Sequence, residues 1–312
     1  RRFACTSPRF DMSMQSTVLR LGVSLGLMLG LAWWFNPSEV VGPLVRMRPG
    51  WVLLAVLISF AQIAMLAWRW RFTARHLGVE LAFPVAWREY YLSIFLNQVL
   101  PGGVMGDVSR AWRHARSQHR ETEESGPAVR AVVFERLLAQ MVMVVLAAVS
   151  LLALPVVLDR LPGPTFLIAG LVAAVLGSAF VVWVRRRLSG GSRLGRMLTE
   201  FSRFHHSGRV LTLQLASAIF VVATYLATYL VASRAIGMET PTLVLLPLVA
   251  PVLMTMLIPV TVAGWGLRES AAAVLWGAVG LTAADGVAVS LAYGLIVLLC
   301  SLPGAVVLLL NR

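Results

Sequence analysis

The sequence contains no lysine: all 27 basic residues are arginine, set against 14 acidic residues for a net charge of +13. That absence removes the lysine-bearing phosphate loop of nucleotide hydrolases, Schiff-base chemistry and lysine nucleophiles in one step. ATP-driven transport powered by this chain alone is not expected. Charge of either sign is scarce, at 13% of residues against ~25% in soluble domains. Cysteine is limited to Cys5 and Cys300, without metal-ligand spacing, so both read as free thiols. The histidines, at positions 76, 114, 119, 205 and 206, are read as residues of cytoplasmic loops. None stands with a Cys or carboxylate in a metal-binding pattern. No His-Glu-x-x-His, Gly-x-Ser-x-Gly or Gly-x-Gly-x-x-Gly occurs. Catalysis has no visible home, the chain is read as non-enzymatic, and neither metal nor cofactor is implied.

What the chain has in excess is apolar surface: 58% of residues are hydrophobic and the mean hydropathy is +0.80. Six runs, 19–35, 51–68, 132–157, 165–184, 210–232 and 287–310, are candidates to cross the bilayer, whose ~30 Å hydrocarbon core takes roughly 20 helical residues. Interfacial tryptophans and snorkelling arginines extend the two shorter ones. No small-x-small cleavage pattern follows run 19–35, so it reads as a retained first span. The expectation is an all-α integral membrane protein forming a single transmembrane domain over residues 1–312. Alternating spans place 21 arginines on one side and four, Arg46, Arg48, Arg160 and Arg234, on the other. The positive-inside rule then puts both termini in the cytoplasm. Residues 114–130, with Glu121, Glu123 and Glu124, read as a solvated connector. The cytoplasmic arginines, Arg185, Arg186 and Arg187 among them, suit anionic headgroups, at ~1 kcal/mol each, better than nucleic acid.

Two further apolar segments do not read as ordinary spans. Residues 90–100 give only 11 positions before Pro101 and a glycine cluster, enough helix to reach about halfway across. Residues 242–266 carry Pro247, Pro251 and Pro259, each of which removes a helical hydrogen bond. Broken backbone at membrane depth requires cover from protein or a wet cavity, so both read as re-entrant hairpins. They also match each other: Leu100, Pro101, Val104, Gly106 and Arg110 stand in register with Ile258, Pro259, Val262, Gly264 and Arg268, 158 residues later. The same offset carries the second run onto the fifth and the third onto the sixth. Each copy, about 19–157 and 165–310, then holds three spans and one hairpin. Three is odd, so the copies face opposite ways, the inverted-topology architecture of many secondary transporters. An eight-span reading, in which 242–259 and 267–281 both cross, leaves the C-terminus on the same side, so the expectation is six to eight spans.

Ionisable residues at membrane depth are functional candidates, because an unpaired charge there costs several kcal/mol. They are Asp107, Arg110, Glu135, Arg136, Arg268 and Glu269, with Asn97 and Gln98 as polar neighbours. Asp107 and Arg110 share a face if a helix starts after Gly106. Gly102, Gly103 and Gly106 allow backbone amides to approach a ligand, and a helix N-terminus there offers free N–H groups to an anion. Gly264 and Gly266 before Arg268 repeat the arrangement. A guanidinium beside such an end suits a phosphate, to which it donates two parallel hydrogen bonds. The plainer reading is that these charges pair among themselves and pin the hairpins.

Three stretches, residues 97–113 (NQVLPGGVMGDVSRAWR), 132–138 (VVFERLL) and 258–272 (IPVTVAGWGLRESAA), give the chain a resemblance to the lysylphosphatidylglycerol synthase transmembrane-region family, also called flippase-like domain proteins. The resemblance covers nearly the whole chain. It implies a multi-pass protein of the bacterial cytoplasmic membrane, associated with moving lipids such as aminoacylated phosphatidylglycerol, hopanoids or glycolipid precursors between leaflets. Carried over by position, the family motif falls on Pro101, Gly102, Gly103, Gly106, Asp107, Arg110, Glu135, Arg136, Gly264, Gly266, Arg268 and Glu269; Asn97 and Pro259 flank it. Glu135 stands where many relatives carry Asp, a change that keeps the charge. The soluble aminoacyl-transferring domain of the full synthases has no counterpart after the last apolar run, so a stand-alone form unable to make lysyl-lipid by itself is expected.

The leading expectation is a lipid translocator that binds an anionic or phosphate-bearing headgroup between the two hairpin tips, held by Arg110 and Arg268. One alternative is an intramembrane enzyme acting on a polyprenyl or lipid-linked substrate with Asp107 or Glu269 as general base. Another is a non-catalytic scaffold for a separate lipid-modifying enzyme. Membrane lipids are the expected partners, with a homo-oligomer as a further option.

Overall fold

The computed structural model describes residues 14–100, 105–118, 126–157, 208–258 and 260–310, and these residues fold almost wholly into helices joined by short turns. A helix satisfies every interior backbone group within its own segment, which is what a chain this apolar needs where water is absent. Helix α1 (Met14–Trp34) turns by 104° into α2 (Pro37–Val45). The bend falls at Asn36, which is extended as the residue before a proline must be. Helix α3 (Pro49–His76) also opens on a proline, followed by α4 (Phe83–Val99), α5 (Met105–Gln118) and α6 (Gly126–Val157). Then come α7 (Gly208–Ala235), α8 (Thr242–Met254), a 3-10 turn (Thr255–Leu257), α9 (Leu267–Ala278), α10 (Ala283–Ser301) and α11 (Pro303–Leu310).

Among the described residues four stretches, Pro49–His76, Pro127–Leu154, Gly208–Ala235 and Ala283–Leu310, are long and apolar enough to cross a membrane, and the bent α1–α2 pair makes a fifth if counted as one span. At 1.5 Å per residue their 28 residues reach ~42 Å, past the hydrocarbon core into the headgroups. Large apolar side chains such as Leu57, Leu152, Val274 and Leu310 point outward, as they do when lipid is the solvent. The protein is therefore multi-pass. The expected run 165–184 lies outside the described residues.

Helices α3 and α7 pack along each other in opposite directions. Near one end the Arg48 N–H donates to the Ala235 carbonyl at 2.8 Å; near the other the Gln214 amide donates to Thr73 Oγ1 at 2.7 Å. Around this pair the contacts are reciprocal: α4 lies against α11 while α8 lies against α6, and α3 touches α6 as α7 touches α10. Trp70 and Tyr90 centre one buried cluster between α3 and α4. Tyr229, Trp276 and Tyr293 centre another where α7, α9 and α10 meet.

Two local expectations change. The short segment before Pro101 is a 17-residue helix beginning at Phe83, not an 11-residue one; Arg88 and Glu89 do not end it, because Glu89 is buried and paired with Arg113 at 2.6 Å. Helix α8 runs straight through Pro247 and Pro251. The chain departs from helix only beyond Leu257, and there Ala263, Gly264 and Gly266 have positive φ.

Candidate functional site

The site grows from the junction of α4 and α5. A side chain at Gly106 would put its Cβ 1.9 Å from the Ser93 carbonyl oxygen, so only glycine lets the two backbones touch there. The Gly106 N–H donates to Asn97 Oδ1 at 2.8 Å, which turns the Asn97 amide nitrogen toward Asp107 Oδ2, also at 2.8 Å. Ser93 Oγ donates to Asp107 Oδ1 at 3.2 Å. One turn along α5, Arg110 Nη2 reaches the same oxygen at 3.0 Å, the i,i+3 pairing expected from the sequence. Arg136 of α6 completes the set with an ion pair to Asp107 Oδ2.

Glu135 lies on the other side of Arg110, 3.5 Å from its Nη2. It accepts a hydrogen bond from the Tyr90 hydroxyl at 2.6 Å. Arg69 Nη1 stands 3.7 Å from its other oxygen, while Arg69 Nη2 donates to the Glu135 carbonyl at 3.1 Å. Arg110 is wholly buried, its guanidinium 4.5 Å from the centre of the Trp70 ring and 3.9 Å from that of Tyr90. The cluster thus combines three arginines with two carboxylates and keeps one excess positive charge. Arg136 alone among the five is open, with 34% of its side chain exposed.

The second tip closes on itself. Arg268 and Glu269 are both buried, and Arg268 Nη2 meets Glu269 Oε1 at 2.6 Å. Ser290 bridges them, accepting from Arg268 Nε at 2.9 Å and donating to Glu269 Oε1 at 3.0 Å. The other Glu269 oxygen accepts the Gly266 N–H at 2.7 Å. The first turn of α9 therefore carries its own carboxylate where an external anion was expected. Gly266 enters that turn at φ 86°, a region a side chain rarely occupies. Ser24 of α1 holds the tip from outside, accepting the Val262 N–H at 2.8 Å.

Where α3, α4 and α6 approach α7, α10 and the second tip lies a cavity of about 210 Å³. Its wall takes Gln62 from α3, Tyr90, Asn97 and Gln98 from α4, Glu135, Arg136 and Gln140 from α6, Tyr225 from α7, Met256 and Ala263 from the second tip, and Tyr293 from α10. Of the residues singled out in the sequence, Asn97, Gln98, Glu135 and Arg136 face this space. Asp107, Arg110 and Gly106 stand directly behind them. Arg268 and Glu269 lie outside its lining; Met256 and Tyr293, both of which Arg268 approaches, are the surface it presents. Arg110 and Arg268, expected to face a ligand together, are buried and do not line the cavity, whereas Arg136 does. Pro101, Gly102, Gly103 and Pro259 lie outside the described residues.

Sequence reasoning passed over Arg69, Tyr90, Ser93 and Ser290. Arg69 ends an apolar run beside Trp68 and Trp70 and reads as an interfacial anchor; its burial depends on Glu135, 66 residues away. His114 also differs from its expected loop: it sits within α5, buried edge-on against Trp70, their ring centres 5.2 Å apart. Burial, aided by the neighbouring Arg110 charge, holds its imidazole down at about 4.

No curated protein matches the chain. The family described as the lysylphosphatidylglycerol synthase TM region matches residues 18–304, a span that includes both tips, the cavity wall and every helix from α2 to α10. A membrane-embedded helical chain with this match over nearly its whole length belongs to the lysylphosphatidylglycerol synthase TM-region family.

Proposed function

We propose that the protein moves an anionic lipid between membrane leaflets, without chemical change to it, by admitting the headgroup to the cavity where α3, α4 and α6 approach α7, α10 and the second tip. The single observation that carries this reading is Arg136, an arginine open to a protein-lined space of about 210 Å³ and backed by a cluster with one positive charge in excess. An arginine fork suits a phosphate diester. The apolar part of the wall, Leu66, Ile94, Val221 and Val297 among it, suits the start of the acyl chains. The family's link to lipid metabolism points the same way.

Two inverted copies would supply the motion. The bounds of α3, α4, α5 and α6 recur 158 residues later, to within a few positions, in α7, in α8 with its 3-10 turn, in α9, and in α10 with α11. The antiparallel packing of α3 on α7 favours opposite orientations. In this reading α4–α5 and α8–α9 are the re-entrant hairpins, the halves rock about the α3–α7 contact, and both termini face the cytoplasm of a bacterial inner membrane. An enzymatic role is disfavoured because Asp107 and Glu269 have their oxygens engaged by arginines and other donors, which leaves neither suited to act as a general base.

The test is reconstitution of the purified chain into phosphatidylcholine–phosphatidylglycerol vesicles carrying a fluorescent phosphatidylglycerol, with transbilayer movement read as the fraction quenched by an impermeant reductant. The wild type should move the probe faster than protein-free vesicles, and Arg136→Gln should return the rate to that background. Wild-type vesicles indistinguishable from protein-free ones, or an Arg136→Gln variant as fast as wild type, would overturn the proposal.

A further inference from the structure

Asp107 makes more contacts than one counter-ion needs. Ser93, Asn97, Arg110 and Arg136 all reach its two oxygens, which uses about the four acceptor positions a carboxylate offers. Three of these donors are fixed. Ser93 is buried on α4, the Asn97 amide is oriented by the Gly106 N–H, and Arg110 is wedged between Trp70 and Tyr90. The fourth is different: Arg136 comes from another helix, is one-third exposed and borders the cavity. If Arg136 turned away, Asp107 would keep a charged donor and two neutral ones, so no bare buried charge would be left behind.

From this asymmetry we infer that Asp107 is a built-in competitor for the ligand's phosphate, holding Arg136 until an anionic headgroup takes the guanidinium in its place. The inference rests on the headgroup reading above and adds a role for Asp107 to it. The exchange needs no net change of ion pairs, since Arg136 trades one oxyanion for another. It also keeps affinity moderate, which a protein that must release its cargo on the far side requires. Arg110 plays no part in the exchange; it anchors Asp107 while Arg136 moves. The second tip has no such device, because Glu269 is bound to its own neighbour Arg268, and Ser290 and the Gly266 N–H leave it no outward-facing partner.

Two substitutions should move affinity in opposite directions. Asp107→Asn removes the competing charge and should tighten binding by roughly tenfold, the scale of one ion pair. Ser93→Ala, behind the cavity wall, takes one fixed donor from Asp107, makes the carboxylate lean harder on Arg136, and should weaken binding about two- to threefold, the scale of one neutral hydrogen bond. The measurement is calorimetric titration of the full chain in detergent with dihexanoyl phosphatidylglycerol, and separately with inorganic phosphate, for wild type, both variants and Arg136→Gln. The order Asp107→Asn, wild type, Ser93→Ala, with binding abolished in Arg136→Gln, supports the inference; its appearance with phosphate as well as lipid would assign the exchange to the phosphate group itself. If Asp107→Asn does not fold, Ser93→Ala decides alone, weakening in support and unchanged or tighter binding against. Wild-type binding that needs Arg136 but is unaffected or weakened by Asp107→Asn overturns the competitor role and leaves the headgroup reading standing. Absence of wild-type binding, or binding indifferent to Arg136, overturns both.

Discussion

Arg110 and Arg268 stand 158 residues apart at matching places in the two tips, and their surroundings have diverged. In the second tip the partner is the next residue, Glu269, and Ser290 and the Gly266 N–H complete a neutral, buried knot. In the first tip the partners of Arg110 come from other turns and helices, Asp107, Glu135 and Tyr90, Arg69 pairs with Glu135 in turn, and a third arginine, Arg136, opens onto the cavity. A local pair can only stabilise; a charge cluster assembled from α3, α4, α5 and α6 can also respond to a ligand and to movement among those helices. In the proposed function the second tip anchors and the first recognises the headgroup.

The largest expected effect breaks the anchoring side. Arg268→Met leaves Glu269 as a buried charge without its cation and should cost about 3–5 kcal/mol, read as a fall in the unfolding midpoint of the purified protein in detergent. Adding Glu269→Gln to that variant should restore most of the loss. A loss below about 1 kcal/mol in the single variant would mean the knot is not dry. Next comes the recognition side. Tyr90→Phe removes the phenol that donates to Glu135 and should destabilise by about 1–3 kcal/mol, the cost of stripping a donor from a buried acceptor. Transport by that variant should fall as well, because Glu135 and Arg110 shift with it. The smallest effect is a pH dependence. His114 titrates at about 4 in the folded chain against ~6.5 when unfolded, so the unfolded state binds more protons between these values. The stability that neutral His114 contributes is complete above pH ~6.5 and declines as the pH falls toward ~4. Melting curves at pH 7 and pH 5 should show it, and His114→Gln should flatten that part of the difference. An undiminished slope in His114→Gln would assign it to another group.

Much of this arrangement is legible in the residue order. Apolar run lengths gave the long helices, because crossing a bilayer fixes length and composition together. The three-residue spacing of Asp107 and Arg110 fixed their pairing, since a helix leaves little choice. Long-range partners were not legible. Nothing near Arg69 announces Glu135, and nothing near Tyr90 does either; those contacts exist because α3, α4 and α6 converge. The same limit explains the misassigned openness of the tips. Both arginines look equally available in the sequence, yet their exposure is decided by what packs over them, Trp70 and Tyr90 in one case and Met256 and Tyr293 in the other. The extent of α4 was hidden for a related reason: the apolar run starts only after Glu89, whose charge is accommodated in the helix by its ion pair with Arg113.

The central claim is that a headgroup phosphate sits against Arg136 in the cavity. Electron cryomicroscopy of the chain in nanodiscs containing phosphatidylglycerol tests it directly. The account predicts phospholipid density in the cavity with its phosphate within ~3 Å of the Arg136 guanidinium. Density showing only acyl chain there, with headgroups confined to the membrane surface and Arg136 still on Asp107, would contradict it.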